Sequence, residues 1–120
     1  MIYSFHDLRT WKEGHALAME VYKITLTFPS SEKFGVISQL RSASLSIPAN
    51  IAEGSGRGTP KDIVRFLMNS RGSLQEVNYF LLASRDLGYI DSNMYETLTH
   101  RYNGLSVGIN RQIEGLLNAK

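Results

Sequence analysis

Apolar residues recur along most of the chain at intervals of three and four, the period of helices that bury one face. From Leu8 to Thr27 the stripe is Gly14, Leu17, Val21 and Ile24, continued by Phe28, with Asp7 placed to cap the start and Pro29 to stop the run. A second run opens at Ser30 or Ser31, puts Glu32 in its first turn where a carboxylate suits the helix dipole, and ends at Gly54. Gly54 to Gly58 reads as a loop. Thr59-Pro60-Lys61-Asp62 then supplies an N-cap, a proline at the first helical position and a carboxylate in the first turn, which starts a third helix that Gly88 ends. Asp91 or Ser92 caps a fourth, whose seam holds Tyr95, Tyr102, Ile109 and Leu116 at intervals of seven, with Leu98 and Leu105 beside it. No strand-like alternation and no internal repeat interrupts this pattern. Short links between four helices predict an all-α, antiparallel up-down-up-down four-helix bundle, one domain over residues 1–120.

The second helix contains Pro48, which has no N–H to give the carbonyl of Ser44 and presses its ring on that turn. At 100° per residue Ile37, Leu40, Ser44, Ile47 and Ile51 nevertheless stay within an arc of about 80°. The stripe keeps its phase, so the helix is expected to kink at Pro48 and to continue to about Ala52. In the third helix the apolar residues from Ile63 to Leu87 spread over about 220°, where a surface helix shows a stripe of somewhat over 100°. Phe80 and Leu82 lie toward the two sides of that arc. The excess predicts burial between copies in a homo-oligomer.

The composition narrows the class. With 120 residues and 42% hydrophobic content the chain can build one core, and no shift in composition marks a second. There is no cysteine, so disulfides and thiolate metal sites are excluded. The first residues lack the unbroken apolar stretch of a secretory signal and no window has the length of a membrane span, so a cytoplasmic protein away from membranes is expected. A net charge of +2 is well short of a dedicated nucleic-acid binder. Charge alone does not choose the partner.

Candidate chemistry is sparse. Glu53 falls in the last turn of the second helix, where the dipole disfavours a carboxylate, so it calls for a cation from Arg57 or Arg41. Asn50 either bonds backbone groups freed around Pro48 or faces a ligand; for both residues the structural reading is preferred. Gly54, Gly56 and Gly58 lack the Gly-Lys-Ser/Thr that would make a phosphate loop. Arg57, Lys61 and Arg65, spaced by four, form the first candidate edge for nucleic-acid phosphates, and Arg101 and Arg111 on the fourth helix a second; a solvated face is the plain alternative. His6, His15 and His100 have no metal-ligand spacing, and Ser38, Ser42, Ser44 and Ser46 lack a nucleophile's context and suit close helix packing. Trp11 and the tyrosines fit core and interface filling better than base stacking. No catalytic constellation, cofactor or metal site is expected.

The run Ser46-Ile-Pro-Ala-Asn-Ile-Ala-Glu-Gly54, with Arg41 upstream, closely resembles the signature of a bacterial four-helix-bundle family first noticed in open reading frames within intervening sequences of large-subunit ribosomal RNA genes. Phe5-His6-Asp7-Leu8 with Trp11, Phe28-Pro29 with Glu32 and Gly35, and Phe66-Leu67 with Gly72-Ser73-Leu74-Gln75-Glu76 match it too. Phe34 and Val36 stand where Tyr and Leu are expected, both conservative changes. A looser resemblance extends to the accessory variability-determinant proteins of diversity-generating retroelements, and implies a pentamer that binds nucleic acid and a reverse transcriptase. The resemblance implies the fold and marks Arg41, Pro48, Asn50, Glu53 and Gly54 as signature positions; it carries no established activity. The leading expectation is a non-enzymatic homo-oligomeric interaction module that binds RNA or DNA, or a nucleic-acid enzyme. The alternatives are a small-ligand protein or enzyme with a polar pocket near Asn50 and Glu53, and a purely structural assembly.

Overall fold

A computed structural model describes residues 5–118, apart from the side chain of Asp7. Four helices follow one another: α1 (Arg9–Thr25), α2 (Val36–Ser55), α3 (Pro60–Asp86) and α4 (Ser92–Asn118), with 3-10 turns at Phe5–Asp7 and Ser30–Glu32. Each packs on its successor and α4 returns to α1, which closes the expected up-down-up-down bundle. Leu17, Val21, Leu40, Ile47, Ile51, Leu74, Val77, Leu81, Tyr102 and Ile109 are almost wholly buried at its centre. These residues come from all four stripes. No helix among the described residues is long and apolar enough to cross a membrane.

The helix ends follow from local chemistry. Asp7, expected as the first cap, has its side chain outside the described residues; α1 begins at Arg9, with Leu8 extended at the cap position. At its far end α1 stops at Thr25, two residues early, because Leu26, Thr27 and Phe28 bond carbonyls three residues back in a tightened turn ahead of Pro29. The expected opening of α2 at Ser30 or Ser31 is corrected. Those residues form a separate 3-10 turn, and Gly35, with φ −110° and ψ −118°, interrupts the helical backbone before Val36. Glu32 therefore caps α2 from outside, its Oε1 accepting the Val36 N–H at 3.4 Å while Oε2 accepts the Tyr89 hydroxyl at 2.6 Å.

The other ends match the pattern. Thr59 Oγ1 accepts the Asp62 N–H at 3.2 Å, with Pro60 at the first helical position. Gly88, at φ +80°, closes α3: its N–H bonds the Arg85 carbonyl and the Tyr89 N–H the Ser84 carbonyl, a Schellman ending. Asp91 Oδ1 accepts the Met94 N–H at 2.7 Å and caps α4. As expected, α2 runs through Pro48 without ending and reaches Ser55.

Small residues allow α2 and α3 to approach closely. Ser70 is fully buried and donates to the Ile47 carbonyl at 2.8 Å, and the Ser46 and Ser73 hydroxyls lie 2.8 Å apart. Gly54 is buried, and a Cβ placed there would stand 3.0 Å from Phe66 Cβ. Gly14 of α1 faces Ile47 and Pro48, so the proline ring packs against a helix with no side chain at that point. In α3 the wide arc is buried at its centre and half-exposed at Phe80 and Leu82; Met68 and Tyr79, outside it, are exposed.

Candidate nucleic-acid interface

The two basic edges named from the sequence have different surroundings. Around the start of α3, Arg57 pairs with Glu53 at 3.0 Å and Arg65 with Asp62 at 3.8 Å. Both guanidinium groups also lie 4.7 Å from the centre of the Phe66 ring. Lys61 makes no ion pair with a described residue. Two carboxylates thus stand among three cations, and both arginines are held against the protein's own surface.

Arg101 and Arg111 belong to a more open arrangement. Between the start of α1 and the second half of α4 runs a groove of about 690 Å³, lined by Arg9, Glu13, His100, Arg101, Val107 and Arg111 together with Leu8, Thr10, Gly104, Leu105, Gly108 and Gln112. Lys12 lines the shallower depression beside it, with Arg9, Glu13, Ala16 and Arg101. Together the two depressions are lined by four cations and, among the described residues, one carboxylate. Arg9, Lys12 and Arg111 make no ion pair with a described residue, while Arg101 Nη2 donates to Glu13 Oε1 at 2.7 Å.

The sequence builds this groove in two ways. Arg101, Gly104, Gly108 and Arg111 fall on one face of α4 within about 80°. The glycines leave its middle low and the arginines stand at its ends, about 15 Å apart along the axis. Across from them, Thr10 donates its hydroxyl to Gln112 Oε1 at 2.6 Å, and its Cγ2 sits 2.9 Å from where a Gly108 Cβ would be. The helices are therefore tied together at the groove floor. Beside it Tyr102 is fully buried, and its hydroxyl has no hydrogen-bond partner among the described residues. Burial pushes its pKa far above the usual 10, with Arg101 opposing that shift and Glu13 adding to it.

The signature positions are occupied by packing and local bonding. Arg41 donates Nε to Thr25 Oγ1 at 2.8 Å and Nη2 to the Tyr22 carbonyl at 3.3 Å, so Arg57 rather than Arg41 is the partner of Glu53. Asn50 Nδ2 donates to the Ser46 carbonyl at 2.8 Å and to Ser46 Oγ at 3.0 Å. That carbonyl is not the one Pro48 deprives, which belongs to Ser44. Pro48 and Gly54 are buried between helices. Among the described residues no group of three or more His, Cys, Asp or Glu side chains comes together. Trp11 stacks on His15 with ring centres 5.1 Å apart and a 3° tilt, and Phe5 meets its edge at 5.0 Å.

Arg9 and Lys12 were missed by sequence reasoning, because α1 and α4 meet only when the bundle closes. The Arg-Gly-Gly-Arg face of α4 was a usable signal.

A crystal structure of a protein of unknown function from the S23 ribosomal protein family of Bacteroides thetaiotaomicron superimposes with a TM-score of 0.78. The two are 20% identical, and the match covers 87% of this chain and 97% of that one, which shows a shared fold. No curated protein matches the chain. The family model described as 23S rRNA-intervening sequence protein matches residues 6–111. With nearly all of the bundle inside that match, the chain belongs to the 23S rRNA-intervening sequence protein family.

Proposed function

We propose that the protein is a non-enzymatic, homo-oligomeric interaction module that binds nucleic-acid phosphates along the groove between α1 and α4. The observation that carries this reading is the groove itself: Arg9, Lys12 and Arg111 stand around it with no ion-pair partner among the described residues, and Arg101 engages Glu13. Unpaired guanidinium and ammonium groups release phosphate counterions on contact, a sequence-independent attraction. Among the described residues His100 is the one aromatic ring lining the groove, so bases find little to stack on there and sequence preference is slight. Arg57, Lys61 and Arg65 are the weaker edge, since two of the three are already paired.

Self-association is supported on the opposite side of the bundle. Ser38, Gln39, Ser42, Leu45 and Ala49 are exposed on α2, and Met68, Asn69, Gly72, Gln75 and Tyr79 on α3, with the carboxylate of Glu76 exposed among the α3 residues. Such a face, with Phe80 half-buried at its edge, suits contact with a second copy. Five subunits is the order implied by the likeness to the retroelement accessory proteins.

The test is fluorescence anisotropy with a labelled single-stranded RNA and an unrelated sequence, over a range of salt. Replacing Arg9, Arg101 and Arg111 with Gln should weaken both RNAs by the same factor and flatten the salt dependence. The Arg57, Lys61 and Arg65 triple variant should lose less. Parent protein with no affinity for RNA or DNA at low salt overturns the reading.

A further inference from the structure

Arg101 is the one arginine of the groove that is already engaged, and its partner is placed where a ligand would be. Glu13 Oε1 accepts from Arg101 Nη2 at 2.7 Å, within the short range of charge-assisted bonds, yet both side chains remain about two-fifths exposed. The pair lies within the groove, and among the described residues its carboxylate is the only acidic group lining either depression. On α1 the residues around it are Arg9 and Lys12; on α4 they are His100, Arg101 and Arg111. A carboxylate there presents to a guanidinium the same kind of oxygen pair that a phosphodiester presents.

We infer that Glu13 is an internal competitor for the phosphate group, occupying Arg101 in the free protein and giving it up when a phosphodiester enters the groove. This rests on the phosphate-binding reading and adds to it a residue that sets affinity against binding. The pair is exposed enough to open cheaply, since ion pairs in contact with water contribute little to stability. The tie between α1 and α4 does not depend on it alone, because the Thr10 hydroxyl holds Gln112 on the same seam. Opening the pair therefore releases Arg101 while the groove keeps its shape. A polyanion approaching the groove also meets the negative charge of Glu13 among the positive ones.

The experiment is a double-mutant cycle read by anisotropy with a fluorescent single-stranded uridine homopolymer. Glu13→Gln keeps an acceptor for Arg101 and removes the charge. It should tighten binding by about five-fold at low salt and steepen the salt dependence by about one released counterion. Arg101→Gln should weaken binding. In the Arg101→Gln background Glu13→Gln should add little, because a competitor acts through the group it competes for. Circular dichroism melts of all variants confirm that the bundle is intact. If the parent binds and Glu13→Gln leaves affinity unchanged or lowers it, the inference fails while the groove stands. If Glu13→Gln tightens binding equally with and without Arg101, Glu13 acts only by its field and the competition is overturned. A parent that binds no homopolymer at low salt overturns both.

Discussion

Ser70 of α3 donates its buried hydroxyl to the carbonyl of Ile47 at 2.8 Å, on the residue immediately before the proline of α2. The carbonyl that Pro48 deprives is that of Ser44, so the Ser70 bond does not replace the lost one but adds a cross-helix link beside the proline, whose ring crowds the preceding turn. A hydroxyl from the neighbouring helix fixes this turn and holds α3 against it. Ser70→Ala should lower stability by about 1 kcal/mol, measured by urea denaturation. A larger aliphatic such as Ser70→Leu should cost more, because the site is fully buried.

Two buried glycines should respond oppositely to the same change. A Cβ at Gly54 meets Phe66 Cβ at 3.0 Å, so Gly54→Ala forces α2 and α3 apart and should destabilise by about 1–3 kcal/mol. At Gly14 the nearest atom is Ile47 Cγ2 at 3.5 Å, an ordinary contact, and the better helix former should stabilise by up to about 1 kcal/mol. Thermal melts of the two variants side by side decide this.

Tyrosines should govern alkaline stability. The Tyr89 hydroxyl donates to Glu32, which holds its pKa above the usual 10, and burial raises that of Tyr102 further. In both cases the folded state keeps the proton longer than the unfolded chain does. Their contribution is complete below pH 10 and is lost as pH rises above it. Tyr102→Phe should therefore resist alkaline unfolding. It should also be neutral to about 1 kcal/mol more stable at neutral pH, because it removes a buried hydroxyl that has no partner among the described residues. Tyrosinate absorbance followed during a pH titration of parent and variant reads the first effect, and urea denaturation at neutral pH reads the second.

Much of this fold is written in local signals. Thr59-Pro60 and Asp91 start helices where their side chains accept backbone N–H groups, and Gly88 ends one because the turn demands a positive φ. The apolar stripe from Ile37 to Ile51 correctly carried α2 across Pro48. Ser30-Ser31-Glu32 misled for a physical reason: they form a short 3-10 turn of their own, and only Gly35 further on marks the true break. The basic groove was half legible. Arg101 and Arg111 flank two glycines on one face of α4, but Arg9, Lys12 and Glu13 reach them only through contacts about ninety to a hundred residues apart in the chain. The weakness of the Arg57, Lys61 and Arg65 edge was also half legible: the cation that Glu53 calls for pointed to Arg57, whereas the pairing of Arg65 with Asp62 was not anticipated.

The association predicted from the sparsely charged faces of α2 and α3 should be visible by light scattering at micromolar concentration as a mass several times 13.5 kDa. Placing Glu at Ala49 and Tyr79 should dissociate it without unfolding the bundle, since both residues are exposed on the subunit. A parent that stays monomeric contradicts the self-association.

The most direct test of the proposed interface is an NMR titration of the charge-substituted monomer with a short uridine homopolymer, following backbone amides. Shifts are expected to be confined to residues 8–13 and 100–112, the two walls of the groove, with little change between Glu53 and Phe66. Shifts centred on residues 53–66, or spread evenly over the surface, would contradict the proposed interface.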